Sequence, residues 1–329
     1  MRGLQLHKRF AEEWCLPFLR DHFTELEDRV ALAATGGGSD VYGYDDDVSR
    51  SHKWFPRCLF LLTETDRHQY GDELQATLTN HLPPQFAGVE TLAATTWGPE
   101  EHPSPVGSAV VMSTPAFFNL MTGHPSAPSD PISWLAIPEC DLYHATNGRV
   151  FHDPLGEFSE RRETFADYPE PVWWRRLCQQ LTILDVDIMY NLGRCLPRQD
   201  GVTAFIWTGK GIRALLRIAF LVNHRYAPYD KWLYTAFKDL PVLSQEIDPL
   251  VCQIVEEPHC HERYQLFMSA VRVVVEYLID EGILPNRKLS EGMGVHGCSM
   301  LKPILKEVAD RIPAALRTMP IAEESKVFS

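Results

Sequence analysis

Long apolar segments are missing from this sequence. No run of about 18 apolar residues occurs, and a membrane-spanning helix requires such a run. The opening residues, MRGLQLHKRFAEEWCLPFL, also lack the continuous apolar core of a signal peptide. These two absences predict a cytoplasmic protein that has no membrane partner.

Basic residues are scarce relative to acidic ones. The chain has 31 Lys and Arg against 44 Asp and Glu, and its formal net charge is −13. Proteins that bind nucleic acids usually present a basic surface to the phosphates, so this balance argues against a nucleic-acid partner. It leaves the oligomeric state open.

Closely spaced cysteines and the common catalytic motifs are missing too. Eight cysteines are spread along 329 residues and none forms a CxxC pair, which favours reduced thiols. No GxSxG, HExxH or Walker motif occurs. The segment EEPHCHERY contains His259, Cys260 and His261, but a zinc site would need further ligands such as His296 and Cys298.

Hydrophobic patterning divides the chain into two halves. Before about residue 155, the short apolar runs VALAATG, CLFLLT and SAVVMST predict buried strands, and amphipathic helices precede and separate them. Later in the chain, apolar residues recur at helical spacing between Pro and Gly junctions. We predict an α+β fold, with a mixed-sheet domain over residues 1–155 and an all-helical bundle domain over residues 156–329.

The segment ATGGGSDVYGYDDD combines a glycine run with an acidic cluster. A strand that runs into Gly37, Gly38 and Ser39 permits a tight turn with exposed backbone N–H groups, which suits a phosphate, and Gly43 lets the chain fold back. Metal-assisted phosphoryl transfer also requires carboxylates that hold divalent cations. The candidates for these carboxylates are Asp45, Asp46 and Asp47. The alternative is a surface turn followed by a solvated acidic loop.

Two other polar segments are candidates for substrate binding. In VFHDPLG, His152 and Asp153 could form an acid–base pair, or Asp153 could cap the backbone of a turn. In NHRYAPYDKWL, basic and tyrosine side chains at a helix junction could clamp a phosphate or a carboxylate, or they could serve packing between domains. These side chains are Arg225, Tyr226, Tyr229 and Lys231.

Three segments resemble the family called domain of unknown function 4037. They are GGGSDVYGYDDDVSRSHKWFPR (36–57), GRVFHDPLGEF (148–158) and LVNHRYAPYDKWLYTAF (221–237), and they follow the family order. The first is also similar to the nucleotidyltransferase fold of the polymerase-beta superfamily. The resemblance implies a nucleotidyltransferase-like N-terminal domain and a helical, substrate-binding C-terminal domain. It also implies a nucleoside triphosphate, Mg²⁺ and a small-molecule acceptor.

The sequence departs from this family pattern at the metal ligands. The resemblance implies acidic residues about a dozen positions after Ser39, and those positions are Ser51 and Lys53 here. Serine is a poor ligand for magnesium, and lysine would repel the ion. A third carboxylate is expected on a later strand, but the predicted strand SAVVMS has none.

Three functional hypotheses follow from this departure. In the first, the protein transfers a nucleotidyl group to a small molecule, and one of the three neighbouring aspartates replaces the missing ligand. In the second, a metal- and nucleotide-independent biosynthetic enzyme reuses the pocket. His52 would then be a general acid or base, and Lys53 and Arg57 would bind an anion. In the third, the protein is a non-catalytic binding module.

Overall fold

The computed structural model describes residues 1–49, 54–97, 104–284 and 301–323. The chain divides into two compact units, the first comprising Met1–Asp167 with Ala322–Ser329 and the second comprising Tyr168–Ile321. The first unit contains the strands and the second is helical in the described residues. The predicted α+β fold class is confirmed.

A four-stranded mixed sheet forms the centre of the first unit. The described strands are β1 (Ala31–Ala34), β2 (Cys58–Leu62), β3 (Gln85–Phe86), β4 (Val89–Glu90), β5 (Thr95–Trp97), β6 (Ser104–Val106), β7 (Ala109–Ser113) and β8 (Arg149–His152). The sheet has the order β7-β2-β1-β8, while β3 pairs with β4 and β5 with β6. Strand β1 is antiparallel to both of its neighbours, and β2 is parallel to β7. The three strands predicted from apolar runs are β1, β2 and β7.

Strand β8 was not among the predicted strands. Its sequence, RVFH, is short and has a basic residue at each end, so it lacks the apolar run that identified the others. It lies at the edge of the sheet, where none of its residues is fully buried. Side chains that stay partly in contact with solvent need not be apolar, which explains why hydrophobicity did not reveal β8, whereas the buried edge strand β7 was found.

Helices cover the sheet of the first unit. They are α1 (Gly3–Phe10), α2 (Leu16–His22), α3 (Ser39–Tyr42), α4 (Glu64–His81), α5 (Thr114–Thr122), α6 (Pro131–Leu135), α7 (Glu139–Thr146) and α8 (Glu157–Thr164), with a 3₁₀ turn at Thr24–Leu26. A π-helical turn, Ala11–Cys15, joins α1 to α2. This leading segment buries Phe10, Phe18 and Leu19 against the sheet, as its helical periodicity predicts.

The second unit is a bundle of helices. They are α9 (Glu170–Ile183), α10 (Gly193–Cys195), α11 (Gly201–Val222), α12 (Asp230–Phe237), α13 (Ser244–Glu256), α14 (Cys260–Asp280) and α15 (Lys302–Arg311), with a π-helical segment at Leu184–Leu192 and a 3₁₀ turn at Ala314–Leu316. Helix α11 is central, because Leu215 and Phe220 are buried and Trp173 of α9 donates its indole N–H to the Leu221 carbonyl at 2.8 Å. None of the described helices is both long and apolar enough to cross a membrane.

A buried polar network links the first helix to the sheet. His7 in α1 is fully buried, and its Nε2 lies 2.9 Å from Oδ2 of Asp40. The backbone N–H of Arg57 donates to His7 Nδ1 at 3.2 Å, so the ring proton must be on Nε2, from where it is donated to Asp40. The Arg57 guanidinium donates through Nη2 to the other Asp40 oxygen at 2.7 Å. Asp40 therefore accepts from both partners.

Burial and charge set the ionisation of this network. Burial lowers the pKa of His7, and the hydrogen bond to Asp40 only partly opposes this effect. Burial would raise the pKa of Asp40, but the charge of Arg57 and the hydrogen bond from His7 outweigh it and leave that pKa lowered. At neutral pH the network thus contains a neutral imidazole, a carboxylate and a guanidinium.

The lowered pKa of His7 predicts a loss of stability in mild acid. In the unfolded chain His7 takes up a proton below its ordinary pKa of about 6.5, whereas in the folded chain it stays neutral to a lower pH. The free energy of unfolding should therefore fall as pH drops below about 6.5, by at most ~1.4 kcal/mol per pH unit from this residue. Urea unfolding from pH 8 to pH 5 measures it. His7→Gln should be less stable at pH 7 but flatter with pH; parallel curves for the two proteins would contradict this prediction.

Two helical glycines of the second unit give a matched pair for packing. A Cβ at the buried Gly211 would lie 2.7 Å from Ile188 Cγ1 and 2.8 Å from Phe267 Cε1, whereas one at Gly193 would first meet the Tyr264 ring at 3.4 Å. Gly211→Ala should therefore lower the free energy of unfolding by about 1–3 kcal/mol through overpacking. Gly193→Ala should be neutral or stabilise by up to ~1 kcal/mol, because alanine favours helix. Urea midpoints test the pair, and equal midpoints would refute this account of the core.

Candidate functional site

The predicted glycine turn (residues 36–39) connects β1 to α3. Gly36 and Gly38 have φ angles of +97° and +132°. Residues that carry a Cβ atom rarely adopt such angles. Helix α3 begins directly at Ser39 and ends at Tyr42, and its C-cap Gly43 has a φ of +80°. Gly36, Gly38 and Gly43 therefore occupy backbone conformations that favour glycine.

The carbonyl groups of the glycine turn are anchored by neighbouring residues. The Gly36 carbonyl accepts from Asn147 Nδ2 at 3.3 Å, and the Gly37 carbonyl accepts from Arg57 Nη2 at 2.9 Å. The Gly38 carbonyl accepts from the backbone N–H groups of α3 at 3.0 and 3.1 Å. The carbonyl groups of three successive residues in the turn are therefore each fixed by a hydrogen bond.

Three N–H groups of the same turn make no hydrogen bond within the described part of the chain. Among the described residues, the backbone N–H groups of Gly37, Gly38 and Ser39 have no acceptor, and neither does the Ser39 hydroxyl. In a trans peptide the N–H points opposite to the preceding C=O. Since each preceding carbonyl is anchored, each of these three N–H groups points away from that anchor. The three residues are half-buried, so the donors lie near the surface.

The Arg57 side chain binds to the turn and to the neighbouring Asp40. Its Nη2 donates to both the Gly37 carbonyl and the Asp40 carboxylate, and a Cβ at Gly38 would overlap with both Nη2 and Asp40 Oδ1. Only glycine fits at position 38 for this reason as well as for its φ angle. Arg57 thus occupies a structural position in the turn, and its charge is balanced by Asp40.

The three neighbouring aspartates have separate structural partners. Asp45 is buried, and its Oδ2 accepts from the Gly3 N–H at 2.9 Å and from the Trp54 indole at 3.2 Å. Asp46 is exposed and accepts from the Ser49 N–H at 2.7 Å, and Asp47 is exposed. Asp45 therefore fixes the start of α1, and Asp46 closes a local turn.

These aspartates do not fit the magnesium site that the family resemblance implies. In the described ranges, one set of three or more metal-ligand side chains has ligand atoms within 4.8 Å of one another, and it is Glu257, His259 and Glu262 in the second unit. Strand β7 also lacks a carboxylate, as the sequence showed. Ser51, His52 and Lys53 lie outside the described residues, so their predicted roles stay predictions.

His152 and Asp153 each bind backbone groups. His152 Nε2 lies 2.7 Å from the Glu27 carbonyl, and Asp153 Oδ2 accepts from the Ser159 N–H at 2.8 Å at the start of α8. These contacts correspond to the turn-capping alternative for Asp153. The acid–base role of the two residues remains a prediction.

The candidate side chains of the second unit have mixed exposure. Arg225 and Lys231 are exposed, and the Lys231 ammonium lies 5.2 Å from the Trp232 ring centre. Tyr226 is buried with its ring 4.8 Å from that of Tyr168, and the partly exposed Tyr229 accepts from the Trp232 indole at 3.0 Å. Their proposed clamp on a phosphate or carboxylate stays a prediction.

Sequence reasoning missed three buried polar groups around the glycine turn. His7 lies in a predicted amphipathic helix, where a polar residue is ordinary. Asp40 directly follows the predicted Ser39, and no sequence pattern marks it as buried. His144 of α7 is also buried, with Nδ1 3.7 Å from Asp141, and its backbone carbonyl accepts from the Gly36 N–H at 3.1 Å. The available signal was only that polar residues interrupt an apolar pattern, which does not identify their partners.

Comparisons with known proteins cover part of the chain. Residues 134–233 match the family model described as Domain of unknown function (DUF4037). The chain is similar to a solved structure, a nucleotidyltransferase-like protein from Exiguobacterium sibiricum 255-15, with 10% identity over 90% of both chains and a TM-score of 0.38. No curated protein matches the sequence. The predicted resemblance to domain of unknown function 4037 is thus confirmed over residues 134–233, which include the segment 148–158 and most of the segment 221–237.

Proposed function

We propose that this protein is an enzyme of small-molecule metabolism that binds a phosphorylated substrate at the glycine turn. One observation supports the proposal above others: three successive backbone N–H groups and the Ser39 hydroxyl have no acceptor among the described residues. Phosphate oxygens are pure acceptors, and successive N–H groups in a turn are a known arrangement for binding them. Within the described ranges, these donors are therefore available to a phosphate.

The anchored carbonyls make this donor set rigid before the ligand binds. Arg57 holds the Gly37 carbonyl, and Asn147 holds the Gly36 carbonyl, so the peptide planes cannot rotate freely. A preorganised site loses less conformational entropy when it binds its ligand. In this proposal Arg57 is a positioning residue, because Asp40 already neutralises its charge.

Nucleotidyl transfer from a nucleoside triphosphate is the second candidate. It is favoured by the arrangement of a strand that ends in a glycine–serine turn, which would receive the triphosphate. It also needs Mg²⁺, which neutralises charge on the phosphates during transfer, and the described aspartates do not form a ligand set for it. We therefore place phosphate binding without magnesium first.

Calorimetric titration with pyrophosphate, ATP, GTP, CTP and UTP tests the proposal. At least one phosphate compound should bind in the presence of EDTA, because the donors belong to the chain itself. Ser39→Ala should weaken that binding by roughly tenfold, the effect of one hydrogen bond to a charged group. The variant should keep its unfolding midpoint, since the Ser39 hydroxyl has no hydrogen-bond partner among the described residues.

Alanine at two glycines with positive φ angles compares the turn with a position outside it. Gly38→Ala should abolish binding, because the new methyl group overlaps Arg57 and Asp40 and displaces the turn. Gly123→Ala introduces alanine at a positive φ of +78° with nothing within 4 Å, away from the turn, so it should leave binding intact. Failure of every phosphate compound to bind the unaltered protein would refute the proposal, as would unchanged binding in both Ser39→Ala and Gly38→Ala.

The magnesium requirement separates the two candidates. The leading proposal predicts equal affinity with EDTA and with Mg²⁺, and little effect of replacing Asp45, Asp46 and Asp47 together by asparagine. Asparagine retains an acceptor oxygen for the hydrogen bonds to Gly3 and Ser49, so the fold should tolerate the change. Nucleotide binding that appears only with Mg²⁺ and disappears in the triple variant would instead establish the second candidate.

A further inference from the structure

Two exposed histidine rings lie beside each other in the first unit. His22 is the last residue of α2 and His81 is the last residue of α4, and both side chains are exposed. Their ring centres are 4.6 Å apart, and the ring planes are inclined by 49°. The two residues belong to helices that are far apart in the sequence, so the packing of these helices brings the rings together.

A buried phenylalanine supports both rings. Phe18 is 5% exposed and belongs to the hydrophobic core of the first unit. Its ring centre lies 4.7 Å from that of His22 and 5.9 Å from that of His81. Because the core fixes the phenylalanine on which the histidines pack, the pair loses less side-chain entropy when it binds a ligand.

The hydrogen bonds of the pair leave ring nitrogens available to a ligand. His81 Nδ1 lies 2.9 Å from the Thr77 carbonyl oxygen, which can only accept, so Nδ1 carries the ring proton. In the neutral ring, Nε2 then has a free lone pair. The His22 ring makes no hydrogen bond to the described residues. Histidines that bind metals usually have this arrangement, in which one nitrogen donates to a carbonyl and the other is the ligand.

The positions of both rings at helix ends favour a cation. The last carbonyl groups of a helix give its C-terminus a partial negative charge. His81 ends the 18-residue helix α4, and His22 ends α2, which continues α1 through the π-helical turn. A cation between the rings would therefore be attracted by two helix ends. One shared ion also avoids the repulsion between two protonated rings at this distance.

We propose that His22 and His81 bind one divalent transition-metal ion, such as Zn²⁺, Ni²⁺ or Cu²⁺, which joins the ends of α2 and α4. Zinc–nitrogen bonds of about 2.0–2.1 Å place two nitrogens on one ion at most about 4.2 Å apart, so the two rings must be neighbours. Imidazole suits these ions, whereas Mg²⁺ and Ca²⁺ prefer oxygen ligands. Water completes the coordination, since both rings are exposed.

The set of Glu257, His259 and Glu262 is a less suitable site for the same ion. It lies at the start of α14, where the helix end has a partial positive charge. Glu257 Oε1 already accepts from the His259 backbone N–H at 2.9 Å. The buried Arg263 donates to the Glu257 carbonyl at 3.0 Å and adds a positive charge nearby. This set is therefore the comparison against which the histidine pair is tested.

Calorimetric titration of the protein without an affinity tag tests the proposal. Zn²⁺ and Ni²⁺ should each bind, and an excess of Mg²⁺ should not displace them. His22→Gln and His81→Gln should each weaken binding by at least about tenfold, because each removes one of the two protein ligands. His68→Gln is the matched control, since His68 is exposed on the same helix roughly 20 Å from His81 along its axis. It should leave the affinity unchanged.

Nitrogen NMR of the histidine rings distinguishes direct binding from an indirect effect. Zn²⁺ should shift Nε2 of His81 and leave its Nδ1 protonated, because the Thr77 carbonyl accepts that proton. One nitrogen of His22 should shift at the same stoichiometry. Zn²⁺ should also raise the urea midpoint of the unaltered protein but not that of His22→Gln, since an ion that binds only the folded chain stabilises it. Circular dichroism should show an intact fold for the variants, whose substituted side chains are exposed.

Three results would overturn the proposal. The first is that neither Zn²⁺ nor Ni²⁺ binds the unaltered protein at concentrations up to about 100 µM. The second is an affinity that stays the same in both His22→Gln and His81→Gln. The third is binding that disappears in His259→Gln, which would assign the ion to the set in the second unit. The titrations contain no phosphate compound, so their outcome is independent of the function proposed for the glycine turn.

Discussion

The ion pair between Asp40 and Arg57, with His7 behind it, is the interaction on which the first unit depends. It connects α1, the glycine turn, α3 and the start of β2 through one carboxylate. Removing one partner of such a buried pair costs about 3–5 kcal/mol, because the other is left without compensation. The same carboxylate fixes Arg57, and Arg57 fixes the Gly37 carbonyl. Helix packing, turn geometry and the orientation of the free N–H groups are therefore one connected arrangement.

This arrangement also engages acids near the turn, and in the described residues the three neighbouring aspartates do not form a cluster of metal-ligand atoms. Carboxylates bind magnesium when they are free to approach it, but Asp40 is neutralised by Arg57, and Asp45 accepts from Gly3 and Trp54. The acids around the turn hold the fold together. In the proposed function, the ligand is therefore bound by backbone donors, and binding depends on main-chain geometry more than on side-chain charge.

Local patterns in the sequence predicted the parts of this protein that depend on local physics. Apolar periodicity predicted the helical second unit and three strands, and the glycine run predicted the backbone conformations at Gly36 and Gly38. Strand β8 was missed because its residues are only partly buried and its sequence lacks an apolar run. The partners of Asp40 could not be predicted, because His7 is 33 positions away and Arg57 is 17 positions away. The choice of partner for each acid depends on how the helices and strands pack against one another. A local sequence pattern does not predict this packing.

The central claim is that the unused N–H groups of the glycine turn receive a phosphate. The most direct measurement is a titration of ¹⁵N-labelled protein with pyrophosphate in EDTA, followed by amide NMR. The account predicts that the largest, saturable shifts occur at the amides of Gly37, Gly38 and Ser39, with smaller changes at the Arg57 side chain. It would be contradicted if pyrophosphate bound and left these three amides unshifted, or if the largest shifts lay in the second unit.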